Sequence, residues 1–137
     1  MSALILTVKT DNTGTSNNDQ FTLPLKPKRR YDFIISGNFT NSPINHTSDS
    51  DLTLTFPSGA GTYDIEITGK FPAIYFNNRG DKLKLLMVKQ WGTNEWKTFE
   101  GAFYGCSNLA MTTAVLKQLS SETTSKRRYN WKIKNAK

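Results

Sequence analysis

Residues 62–92, TYDIEITGKFPAIYFNNRGDKLKLLMVKQWG, carry the densest run of strand signal in the chain. Tyr63, Ile65 and Ile67 alternate with Asp64, Glu66 and Thr68. A period of two marks a strand with one buried and one wet face. Gly69 closes that run, and Phe71, Ile74, Tyr75 and Phe76 make a second candidate, aromatic and β-branched. Asn77-Asn78-Arg79-Gly80-Asp81 then reads as a tight turn, because Asn and Gly tolerate positive φ. Leu83, Leu85, Leu86, Met87 and Val88 form a third apolar run, ended by Trp91-Gly92. The short connections predict that these three candidates pair with one another and that the rest of the chain packs on them.

Toward the N-terminus, residues 3–9 predict a strand with Leu4, Leu6 and Val8 on one face. Residues 11–19 are polar throughout and offer no apolar anchor, so a mobile surface loop is expected. Phe21, Leu23 and Leu25 alternate, with Pro24 among them pointing to an edge position or a bulge. Lys26-Pro27-Lys28-Arg29-Arg30 is a basic turn, and residues 31–35 follow as another strand. Residues 39–51, rich in Asn, Ser and Thr, read as a long loop before Leu52, Leu54 and Phe56.

After Trp91 the pattern changes. Asn94 can cap a helix over residues 95–103, which places Trp96, Phe99, Ala102 and Phe103 at helical spacing. Residues 112–119 are a weaker helix candidate, and Tyr129, Trp131 and Ile133 alternate as a last strand. Short strands at regular spacing predict a mainly β chain, a β-sandwich with one or two short helices near the C-terminal third. The sandwich is placed over residues 1–92. A short helical segment and a basic strand or tail over 93–137 pack on it or extend it.

The chain of 137 residues suits one domain with a real core. Its one cysteine, Cys106, cannot form an internal disulfide. Residues 1–8 lack a cationic leader, and no run approaches the ~20 apolar residues of a membrane span. With Met1 as the start, synthesis in the cytoplasm without an export address is expected.

Net charge is +7, and its distribution matters more than its sum. Residues 117–137 hold seven Lys and Arg against one Glu. Lys26, Lys28, Arg29 and Arg30 form a second cluster. Such basic segments suit an acidic partner, either nucleic acid or an acidic protein surface.

The inventory for chemistry is thin. The sole histidine, His46, lies in a polar segment near Ser42, Ser48 and Asp49, where no rigid frame is expected to hold a triad. Cys106 reads as a buried structural thiol. One Cys and one His do not make a zinc site, and Asp11, Asp19, Asp49 and Asp51 lack the spacing of a calcium loop. We therefore expect no enzyme, no cofactor and no metal. Arg79-Gly80-Asp81 spells an integrin-type tripeptide, but a turn explains it as well. Lys126, Arg127 and Arg128 lead into Tyr129 and Trp131. Cations interleaved with aromatics could stack bases and pair phosphates. A strand with one solvated face accounts for the same residues and is the preferred reading.

Several motifs resemble a known family. FTLPL at residues 21–25, YDF at 31–33 and GTYDIEITGKFPAIYFNN at 61–78 look like the PKD-like, immunoglobulin-type domain that precedes the repeats of BspA-like leucine-rich-repeat surface proteins. DKLKLLMVKQWG at 81–92 is similar to the segment that follows, and FEGAFYGCSNL at 99–109 to the opening of the first repeat. Ser36-Gly37-Asn38-Phe39 stands where the family places a WGDG-type turn, and a basic tail replaces the repeat array. The resemblance implies an immunoglobulin/PKD-like sandwich. A lone domain of this kind, without an export signal, is similar to the decoration and tail modules of phage. That implies a virion structural protein docking on a protein lattice, assembled in the host cytoplasm in multivalent or homo-oligomeric form. Its partner-binding residues would be Lys26, Lys28, Arg29, Arg30, Lys126, Arg127 and Arg128. The alternatives are an adhesin module at the bacterial cell surface and a small nucleic-acid-binding protein.

Overall fold

The computed structural model describes residues 3–110. Among them the strands are β1 (Leu4–Lys9), β2 (Gln20–Leu23), β3 (Asp32–Ser36), β4 (Ile44–His46), β5 (Leu52–Thr55), β6 (Thr62–Lys70) and β7 (Leu85–Gln90), with no helix. They form a five-stranded sheet in the order β4-β3-β6-β1-β7 and a two-stranded sheet of β2 and β5. Every pairing is antiparallel. The expected mainly β sandwich is present.

Alternation builds the core. Leu4, Leu6, Val8, Phe33, Ile35, Ile65, Ile67 and Leu85 of the large sheet are buried together with Phe21, Leu23 and Leu54 of the small one. Residues between them on the strands stay wetter, as at Asp32 and Ile34 of β3, both exposed on either side of buried Phe33. Phe33 meets Phe71 edge-on at 5.1 Å, and Tyr31 meets Phe71 at 5.7 Å. Each fully buried side chain of this size contributes roughly 1.5–3 kcal/mol.

Several expectations are corrected, among them the long loop over 39–51, which holds β4. Residues 71–76 are not a strand. Phe71, Pro72, Ala73, Ile74 and Phe76 are all buried, and the backbone here bonds to scattered partners instead of one neighbour. Tyr75 N–H donates to Pro24 O, and Phe76 N–H to Ala102 O. Second, β6 and β7 do not pair, because β1 lies between them and buries Leu4, Leu6 and Val8. Third, residues 95–103 are irregular chain and a turn at 99–102 rather than a helix. Gly101 has φ of 68°, outside helical space, and Lys97 N–H donates to Pro72 O rather than along its own segment. The helix candidate at 112–119 and the strand candidate at 129–133 lie outside the described residues.

The polar segment 11–19 is pinned, contrary to expectation. Asp81 is 1% exposed and Lys84 is fully buried. Asp81 accepts the N–H groups of Thr15 at 2.7 Å, Ser16 at 3.1 Å and Thr22 at 2.8 Å, as well as the Ser16 hydroxyl. Lys84 Nζ donates to the carbonyls of Asn17 and Gln20, both at 2.9 Å, and to Ser16. Burial alone would raise the Asp81 pKa, but these donors and the Lys84 charge outweigh it and hold the carboxyl below its usual range. Burial pulls the Lys84 ammonium down, partly offset by Asp81. Lys9 N–H also bonds to Lys84 O at 2.8 Å, so one residue ties the large sheet to the edge of the small one.

Candidate partner-binding surface

The basic turn after β2 is built by its neighbours. Arg29 N–H bonds to Lys26 O at 3.4 Å, which closes a four-residue turn. Pro27 holds the second position, and Lys28, in the third, has φ of 69°. That is the pattern of a type II turn, whose third position favours glycine. Asp49 accepts the Lys28 N–H at 2.7 Å, and Asp51 accepts the Leu25 N–H at 2.9 Å. The Lys26 N–H donates to the Tyr31 hydroxyl, which donates in turn to Ala73 O, both at 2.8 Å. Burial pushes the Tyr31 phenol up to about 12, so it stays a neutral donor at physiological pH.

The cationic side chains are thus mounted on a frame fastened into the core. Lys28 and Arg30 are exposed, and Arg29 is partly so. None of these three makes an ion pair among the described residues. Lys26 differs: its ammonium sits 4.1 Å above the Tyr75 ring and 4.0 Å from Glu100 Oε1. Beside the turn is a cleft of about 290 Å³, bounded by Pro24, Pro27, Asp51, Tyr75 and Arg79. Lys26, Lys28, Arg29 and Arg30 group in the sequence, whereas Arg79, at least 49 positions further on, reaches the cleft beside their turn only through the fold. Lys126, Arg127 and Arg128 lie outside the described residues.

The remaining candidates have structural roles. His46 ends β4, rests on the Phe33 ring at 5.4 Å, and has Nε2 2.9 Å from Ser50 O. No carboxylate orients it among its hydrogen bonds. Cys106 is buried, which pushes its thiol far up and away from reactivity. Asp11 pairs with Lys9 at 2.9 Å. Among the described residues no group of three His, Cys, Asp or Glu could hold a metal ion. In the Arg79-Gly80-Asp81 tripeptide, Gly80 takes φ of 64° while the Asp81 carboxylate is consumed inside the fold. Integrin-type recognition needs that carboxylate outside, so the turn is the correct reading. Among the described residues no helix is long and apolar enough to cross a membrane.

No family model matches the chain, and no curated protein or solved structure matches it.

Proposed function

We propose that this chain is a non-enzymatic β-sandwich that docks on other proteins, as a phage capsid decoration or tail-associated subunit. The observation that carries the reading is Lys28. A lysine occupies a positive-φ position that glycine fills at lower conformational cost, on a turn braced by Asp49, Asp51 and Tyr31. Backbone strain retained under an exposed cation suggests that the cation is there for contact. Asp49 and Asp51 each spend an oxygen on backbone, so they brace the turn as well as temper its charge.

Docking of many copies on a repeating surface turns weak single contacts into stable attachment. Lys28, Arg29 and Arg30 would meet acidic groups of the lattice, and Lys126, Arg127 and Arg128 would add to the attraction from the tail. The test is co-sedimentation with assembled particles. The chain should travel with them at low salt and leave as ionic strength rises. Sedimentation as free protein at every salt concentration would contradict the reading.

A second reading is an adhesin module of a surface protein. It is favoured by residues 99–109, similar to the opening of a leucine-rich repeat. Phe99, Ala102, Phe103, Cys106 and Leu109 all join the sandwich core. A coding sequence continuing into repeats would decide for it.

A further inference from the structure

We infer that the Tyr75 cleft beside the basic turn is the specificity pocket of this surface, and that it takes an acidic residue of an extended peptide segment on the partner protein. The inference rests on the docking reading above and sharpens it.

The cleft is a built feature. Tyr75 is fixed from several sides: its N–H bonds to Pro24 O at 3.2 Å, and the Lys26 ammonium lies over its ring. Gly101 presses against the ring so closely that a Cβ there would come within 2.6 Å of Cε1. Gly101 O also accepts the Asn77 N–H at 2.9 Å, which fixes the start of the left-handed turn, Asn77 at φ 47° and Asn78 at 61°, that leads to Arg79. The result is an apolar slot of prolines and an aromatic ring with one guanidinium at its rim. At about 290 Å³ it is at the small end of ligand pockets, enough for a side chain or two rather than a cofactor.

The charges select the ligand. Arg79 is exposed and makes no ion pair among the described residues. Its planar fork matches a carboxylate. Asp51 lines the same cleft, with one oxygen committed to the Leu25 N–H at 2.9 Å. A bare anion would be repelled by Asp51. A peptide brings both partners: its carboxylate for Arg79 and a backbone N–H for the remaining Asp51 oxygen. Pro24, Leu25 and Pro27 suit an extended chain with an apolar neighbour beside the acid, and the Lys26 ammonium over the Tyr75 ring adds to the attraction for that acid.

The test is NMR titration of the full ¹⁵N-labelled chain at low salt. The probes are a blocked pentapeptide Glu-Glu-Leu-Glu-Glu, its Gln-Gln-Leu-Gln-Gln counterpart, and inorganic phosphate. We expect saturable shifts at the amides of Leu25, Tyr75, Phe76 and Gly80 with the acidic peptide only. Arg79→Gln should weaken them about tenfold, the loss of roughly one charge-assisted pair. Asp51→Asn keeps the acceptor for Leu25 and should let phosphate in. Shifts confined to residues 28–30, unchanged by Arg79→Gln, would overturn the pocket yet leave docking by the basic turn standing. Equal shifts from phosphate would overturn the peptide assignment. No shifts from the acidic peptide would also overturn the inference, while co-sedimentation decides the docking reading independently.

Discussion

Asp81 and Lys84 close the same open edge of β2 with opposite charges. Asp81 accepts the Thr22 N–H at 2.8 Å, and Lys84 donates to the Gln20 carbonyl at 2.9 Å. A neighbouring strand would supply both groups from its backbone. Here two side chains do so, and the same two side chains organise residues 14–17.

Asp81→Ala should therefore be severe. It strips the N–H groups of Thr15, Ser16 and Thr22 of their acceptor and leaves Lys84 as a buried charge without its counter-ion. We expect a loss of about 3–5 kcal/mol in urea unfolding. Glu66→Ala, on the exposed face of β6, should change stability by less than about 0.5 kcal/mol.

The pH dependence has a definite sign. The folded Asp81 carboxyl titrates below its ordinary value, so its contribution is present above the unfolded value of about 3.9 and is lost as pH falls through the lower folded one. Unfolding measured from neutral pH into acid should show stability dropping in that window. Asp81→Asn should shrink the drop without abolishing it. Asp64, held low by hydrogen bonds from Lys89 and Thr7, titrates there too.

Gly69→Ala should weaken the pairing of β6 with β3. Gly69 has φ of 101°, and a Cβ there would stand 2.7 Å from Asp32 O, a backbone atom that cannot swing away. The expected loss exceeds about 1 kcal/mol. Hydrogen exchange should show faster opening at Phe33 and Ile34, which face Gly69 and Thr68 across the ladder.

Lys28→Gly should separate stability from docking. Glycine relieves the positive φ, so stability should hold or rise, by no more than about 1 kcal/mol. Attachment to particles should fall because a docking cation is gone. A stability loss would contradict the conformational argument.

Much of the fold was legible because one face of each main strand is buried. Leu4, Leu6 and Val8, or Ile65 and Ile67, announce themselves by alternation. β4 escaped because three residues are too few to show a period. Residues 71–76 looked like a strand because they are apolar, but they form an irregular connection, buried except at Tyr75, whose backbone bonds to Pro24, Lys97 and Ala102. Trp96, Phe99 and Phe103 mimicked helical spacing while irregular chain and a turn, not a helix, delivered them to the core. The order of residues 11–19 was hidden because its anchors, Asp81 and Lys84, are distant in sequence and charged. At the surface, the basic turn was legible as a run of cations. The cleft was not, since Tyr75 and Arg79 join it only through tertiary structure.

The most direct measurement is particle occupancy of the triple variant Lys28→Glu, Arg29→Glu, Arg30→Glu across a salt series. These side chains project from a turn whose backbone contacts they do not supply, so the variant should fold. Occupancy should fall and its salt dependence should flatten. Occupancy equal to wild type at every salt concentration would rule out docking through the basic turn.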